Sequence, residues 1–139
     1  MIELVKKLVT EVPYIELYNQ IFTDGIPNLP TQVYMAGEDG KYIGLLSGFP
    51  LDPATWYLQV AGFLPNERGK KYTLRRTNQA LDLINLEWQG ILTLISNDNN
   101  QALRFALAVG FKIIGIRIDS GKNTWVELLR LRGNDNATK

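Results

Sequence analysis

The spacing of apolar and polar residues changes repeatedly along this chain, and each change predicts an element. Residues 2–9 read as a short strand. Thr10 then precedes Glu11, Val12 and Pro13, a cap with proline in the first turn. Tyr14, Leu17, Tyr18 and Ile21 follow at helical spacing, so a helix is expected to about Phe22. Asp24-Gly25, Pro27 and Pro30 end it. A β-rich stretch comes next: Gln32 to Ala36, a turn at Glu38-Asp39-Gly40, Lys41 to Phe49, a turn over Pro50–Pro53, and Thr55 to Leu64. Together these predict an antiparallel meander. From Gly69 to Glu87 a helix is expected, with Leu74, Ala80, Leu81 and Ile84 as its apolar stripe, ending at Trp88-Gln89-Gly90. Ile91 to Ser96 is apolar without alternation, which suits a central strand covered on both faces. Asn99 to Val109 reads as a polar helix start and an apolar helix, closed by Gly110-Phe111. Phe111 to Ile118 and Thr124 to Leu131 are two strands joined by the loop Asp119–Asn123.

The predicted order is β-α-βββ-α-β-α-ββ, an α/β (α+β) sheet of mixed direction with helices on both faces. No internal repeat or linker interrupts it. With 139 residues the expectation is one domain over residues 1–131 and a polar C-terminal tail over 132–139.

Composition narrows the chemistry. The chain has no cysteine and no histidine, which removes thiolate nucleophiles, disulfides, imidazole catalysis and zinc sites with Cys or His ligands. No metal is expected. Net charge is +1, so no overall field favours nucleic acid or an anionic membrane. Met1 to Lys7 lacks a signal-peptide core, and no apolar run approaches a membrane span of ~20 residues. A cytoplasmic protein is expected.

One junction stands out. Phe63-Leu64-Pro65-Asn66-Glu67-Arg68-Gly69-Lys70-Lys71-Tyr72-Thr73 joins a strand to a helix start. A helix N-terminus offers unpaired N–H groups and the positive end of the dipole, a setting that binds phosphate. Gly69 lets backbone come close to a ligand. Arg68, Lys70 and Lys71 add positive charge where cations oppose the dipole, which points to an anion as the missing partner. The plainer reading is a solvated basic helix start.

This junction and Asn99–Phe111 carry a family resemblance. Arg68-Gly69-Lys70-Lys71-Tyr72-Thr73 resembles the Arg/Gln-x-x-Gly-x-Gly/Ala loop by which GNAT N-acetyltransferases hold the pyrophosphate of acetyl-CoA. It follows what would be the family's fourth strand. Two positions depart from the pattern, Lys71 for glycine and Thr73 for glycine or alanine. Lys71 could obstruct the loop or supply charge; Thr73 could donate its hydroxyl. The resemblance implies a short, motif-eroded GNAT-like fold with a mostly antiparallel sheet. It also implies that Phe63 and Arg68 to Thr73 bind acetyl-CoA as cosubstrate, and that Asn99 helps hold the pantetheine arm. Read from the residues alone, Asn99 is first a helix cap, with Asn97, Asp98 and Asn100 as competitors.

Catalysis is where the resemblance thins. Many members carry a tyrosine four residues before the helix-ending glycine, to protonate the departing CoA thiolate. Counting back from Gly110, that position is Ala106. Others use a base on the fourth strand. Tyr57 lies near that position, a candidate acid or base but a poor base with an ordinary pKa of ~10. Its simpler role is an aromatic in the sheet. Glu67 is expected to be exposed, and Glu16 and Asp24 could border an acceptor cleft. Trp56, Trp88 and Trp125 are expected in core or sheet.

The leading expectation is an acyl-CoA-dependent N-acyltransferase acting on an amine of unknown identity, with a homodimer also allowed. The alternative is a GNAT-like binding or structural module that has lost catalysis, such as one encoded by a phage or mobile element.

Overall fold

A computed structural model describes residues 2–8, 32–68 and 73–133. The helix expected to end near Phe22 lies outside these residues, as do Glu16, Asp24 and Gly69–Tyr72. The described elements are β1 (Glu3–Leu8), β2 (Gln32–Glu38), β3 (Lys41–Pro50), β4 (Thr55–Phe63), α1 (Thr73–Glu87), β5 (Gly90–Ser96), α2 (Asn100–Ala108), β6 (Lys112–Ile118) and β7 (Thr124–Leu131). They make a seven-stranded, mostly antiparallel sheet in the order β1-β2-β3-β4-β5-β7-β6. Every strand and both helices fall within a few residues of the sequence expectation. Among the described residues no helix is long and apolar enough to cross a membrane.

The chain divides into two compact units: Met1–Phe49 with Leu58–Ala80, and Pro50–Tyr57 with Leu81–Lys139. In the first, β1 pairs antiparallel with β2 (Glu3↔Gly37 to Leu8↔Gln32), and β2 with β3 (Gln32↔Gly48 to Glu38↔Lys41). The β2–β3 turn is Asp39-Gly40, both at positive φ (55° and 82°). That is what a two-residue hairpin turn matched to strand twist requires, and Asp-Gly supplies it. Val33 to Ala36 in β2 and Ile43, Leu45 and Leu46 in β3 are buried consecutively enough to show both sheet faces covered. Gly44 marks a close strand approach: a Cβ there would stand 2.6 Å from the Gly62 carbonyl oxygen.

In the second unit, the first residues of β4 pair parallel with β5, β5 pairs antiparallel with β7 from Gly90↔Leu131 to Ser96↔Trp125, and β7 pairs with β6. Trp56, Leu81, Ile84, Ile91, Val109, Phe111 and Leu128 form its core. Helix α2 closes as its sequence signature promised. Gly110 takes φ +97°, its N–H donates to the Leu107 carbonyl, and the Phe111 N–H donates to the Ala106 carbonyl. This paired arrangement satisfies the last carbonyls of a helix and favours glycine at the left-handed position.

A buried polar network that periodicity does not reveal also holds this unit. Arg130, 5 % exposed, donates from Nε to the Val109 carbonyl (2.7 Å), from Nη1 to Asn85 Oδ1, and from Nη2 to Asp82 Oδ1 (2.7 Å). Asn85 Nδ2 donates in turn to the Trp88 carbonyl at 3.0 Å. One arginine thus ties β7 to α1 and to the end of α2, and a charge buried this way is tolerated because its donors are used.

Candidate functional site

The strand-to-helix junction is built by local chain chemistry. The Leu64 N–H donates to the Ile43 carbonyl (2.8 Å), so β4 stays on β3 up to its end. Pro65 opens a single 3-10 turn over Pro65–Glu67, where its fixed φ fits and its missing N–H costs nothing. The Glu67 N–H donates to the Leu64 carbonyl, and Arg68 Nε donates back to the Phe63 carbonyl at 3.0 Å. Phe63, Arg68 and Thr73 are therefore gathered at one turn. Thr73 begins α1, and its Oγ1 lies 3.5 Å from the Glu67 carbonyl as donor. Gly69, Lys70, Lys71 and Tyr72 belong to the same stretch of sequence but lie outside the described residues.

Two sequence expectations fail here. Glu67 was expected to be exposed; its side chain is only 13 % exposed. Leu74 was expected in the stripe of α1; it is 42 % exposed, while Arg76 is buried. Arg76 Nη1 donates to Glu67 Oε1 at 2.8 Å, and Nη2 donates to Glu38 Oε1 at the end of β2. Burial pulls the Arg76 pKa down, but the hydrogen bonds and charges of Glu67 and Glu38 outweigh it and leave the pKa raised, so the group stays charged. Arg76 thus joins Ala80 and Ile84 on the buried side of α1, while Leu74, in the first turn of the helix, stays exposed. Arg76 and Glu38 are the site residues that sequence reasoning missed. The available signal was position: Arg76, Ala80 and Ile84 recur every four residues on the buried face.

Behind the junction lies a small apolar cavity of about 20 Å³, lined by Ala36, Leu46, Gly62, Phe63, Thr77 and Ala80 among others. It could hold a single water at most and is not a substrate pocket.

Tyr57 and Asn99 lie in the second unit. Tyr57 forms the last registered rung of β4 with β5: pairing runs Thr55↔Gly90, Trp56↔Ile91, Tyr57↔Leu92 and ends, while β4 continues to Phe63. Burial raises the Tyr57 pKa above its usual value, opposed by the charge of Arg117. The phenol is therefore protonated at neutral pH, which rules out the base role there and leaves it a proton donor weaker than an ordinary phenol. Asn99 is the N-cap of α2, accepting from the Ala102 N–H at 3.1 Å, and Asn97, Asp98 and Asn100 do not take that role. Its oxygen is committed to the helix, which leaves its exposed NH2 group for any ligand. Ala106 is buried, 6 % exposed, and carries no proton to give. Trp56 and Trp88 are buried, and Trp125 is part-buried with its Nε1–H donating to Asp119 Oδ2 at 3.0 Å. Among the described residues no group of three or more Asp or Glu is placed to hold a metal ion.

A parallel β4–β5 pair that ends after three rungs sits in a seven-stranded, mostly antiparallel sheet. Solved acetyltransferase structures share this fold. A mutant form of the spermidine/spermine N-acetyltransferase of Vibrio cholerae superposes with TM-score 0.67 and 16 % identity, covering 100 % of both chains. A chimera of the Vibrio cholerae spermidine N-acetyltransferase and hSSAT gives 0.67 and 14 %, over 94 % of this chain and 97 % of that one. An IAA acetyltransferase from Bacillus cereus gives 0.65 and 14 %, over 94 % and 99 %. No protein-family model and no curated protein matches the chain by sequence. The chain has the GNAT fold, and its structural neighbours are acetyltransferases.

Proposed function

We propose that this chain is an acyl-CoA-dependent N-acyltransferase that moves an acetyl group from acetyl-CoA to an amine. The observation that carries the reading is the course of β4. Its pairing with β5 ends at Tyr57↔Leu92, yet it runs on to Phe63 and into the turn that begins with Arg68. The strand past Tyr57 is the proposed track for the pantetheine arm. The pyrophosphate is assigned to the stretch from Arg68 to Thr73, with Gly69, Lys70, Lys71 and Tyr72 entering on sequence grounds. Asn99 is assigned a contact through its NH2 group in addition to its cap.

In this reading a neutral amine attacks the thioester carbonyl. The C–N bond forms, the tetrahedral intermediate collapses, and the C–S bond breaks. The new ammonium loses a proton to water. The CoA thiolate takes one from the Tyr57 hydroxyl, which solvent then restores. Alignment of the reactants supplies several kcal/mol of the barrier.

The test is binding followed by turnover. Acetyl-CoA at 100 times its Kd should stabilise the protein by ~2.7 kcal/mol. Absence of any thermal shift at saturating acetyl-CoA removes the cofactor assignment. Release of free CoA is then followed over an amine panel that includes spermidine and spermine, acceptors in the names of two neighbours. Binding without CoA release on any amine favours the second reading, a GNAT-like binding module that has lost catalysis, to which the buried Ala106 lends weight.

A further inference from the structure

Strand β6 ends the sheet, paired on one side with β7. Cross-strand partners fix its faces. Ile113 stands opposite Leu128, Ile116 opposite Val126, and Ile118 opposite Thr124. Opposed residues share a face, and on that face Leu128 and Val126 are 0 % and 6 % exposed. Yet Ile113, Ile116 and Ile118 are 54 %, 61 % and 66 % exposed, and Ile114, at the register shift, is 53 % exposed. The apolar face of this unit thus runs past its covered region and stays open along β6. Soluble proteins usually blunt an edge strand with charge, proline or short length. This edge is seven residues long and has no proline. Its two charges are Lys112 and Arg117, and Arg117 Nη2 lies 3.3 Å from Glu127 Oε2 on β7.

We propose that β6 is an association edge and that its occupant is a second copy of this chain, the two β6 strands pairing antiparallel about a twofold axis. Charge selects that arrangement. Lys112 stands at one end of β6 and Asp119 just past the other. The Asp119 carboxylate is fixed there by the Trp125 Nε1–H and by the backbone N–H groups of Gly121 and Asn123. An antiparallel copy brings each Lys112 alongside the Ile118–Asp119 end of the other strand; a parallel copy would set lysine against lysine. Symmetry gives the same answer. Centred on Gly115, antiparallel pairing sets Ile114 opposite Ile116. Centred on Ile116, it sets Ile114 opposite Ile118. Either register joins the isoleucine strip of one copy to that of the other, and an isologous contact closes at two subunits. The chain's net charge of +1 opposes such pairing little.

Sedimentation of the whole chain tests this without reference to its activity. At micromolar concentration the wild type should sediment at twice 15.7 kDa. Ile116→Lys places like charges near the axis and should raise the dissociation constant about a hundredfold or more. Ile116→Thr, which keeps β-propensity, should weaken association while retaining a cooperative melting transition. Leu86→Lys, at a 74 % exposed position on α1, should leave the dimer intact. A monomeric wild type overturns the proposal. So does a dimer that survives Ile116→Lys, or one that Leu86→Lys abolishes.

Discussion

Replacing Arg76 with methionine should destabilise the protein through the two carboxylates it leaves behind. Methionine keeps most of the apolar stem of the arginine and removes the guanidinium. Glu38 and Glu67 then face a buried position with no cation, their side chains 20 % and 13 % exposed. Breaking one side of a fully buried ion pair costs about 3–5 kcal/mol. Both carboxylates keep some access to water and can partly hydrate or take up a proton, so the expected loss is about 2–3 kcal/mol. With a urea slope of about 1–3 kcal/mol per molar for a small protein, the unfolding midpoint should fall by about 1–2 M. The decisive variant is the triple Arg76→Met, Glu38→Gln, Glu67→Gln. It removes the stranded charges and should recover most of the loss, because exchanging a whole buried ionic cluster for neutral groups is often close to neutral. An Arg76→Met loss below about 0.5 kcal/mol would show that the triad behaves as a solvated surface pair. A triple variant no more stable than Arg76→Met would show that the loss is one of packing. The same pair of variants reports on ligand binding. Glu67 is adjacent to Arg68, so an unneutralised carboxylate there should weaken acetyl-CoA binding in Arg76→Met, and Glu67→Gln should restore it.

Tyr57→Phe should lower kcat by about 10²–10⁴-fold with KM for acetyl-CoA little changed. Since burial raises the Tyr57 pKa, the alkaline fall of kcat should lie above pH ~10; a fall near neutrality that Tyr57→Phe leaves unchanged would assign the proton to another group. Asn99→Asp keeps a capping oxygen and loses the NH2 group, so urea unfolding should change by less than about 0.5 kcal/mol while acetyl-CoA affinity drops; unchanged affinity would restrict Asn99 to capping. Gly110→Ala should cost about 1–2 kcal/mol in the same assay, from backbone strain at φ +97° rather than a clash, since the added Cβ would lie 3.5 Å from Arg130 Nε. The Asp119 pKa is lowered by the Trp125 hydrogen bond first and the Asn123 backbone next, against desolvation. Its stabilisation is therefore present above the ordinary value of 3.8 and lost as pH falls through the folded value, so Tm should depend less on pH below 3.8 in Asp119→Asn than in the wild type.

What the sequence revealed and what it hid divide along physical lines. Strand β7 begins and ends where its pattern said, and β5 starts one residue early, at Gly90. Asp39-Gly40 and Gly110-Phe111 were legible because a backbone at positive φ demands a particular residue in place. Arg76 and Arg130 were not. Periodicity assigns an arginine to solvent, and only tertiary contact brings Glu38 and Glu67 to the first, or Asp82, Asn85 and the Val109 carbonyl to the second. The exposed isoleucines of β6 show the converse limit. Their residue types mark a strand, but nothing in a local pattern says that the strand will lie at the end of its sheet.

The proton donor follows the same logic. The α2 position that would carry a tyrosine holds Ala106, and it is buried in a helix whose C-terminal end is pinned by Gly110, Phe111 and the Arg130 bond to Val109. A phenol there would overpack the core at about 1–3 kcal/mol. Restoring the acid by Ala106→Tyr therefore sets chemistry against packing. Tyr57 meets no such conflict. It is half-buried on a strand, and its hydroxyl is already in place and protonated at neutral pH. For the proposed acyl transfer, the strand phenol therefore supplies a proton without the packing cost that a tyrosine at position 106 would carry.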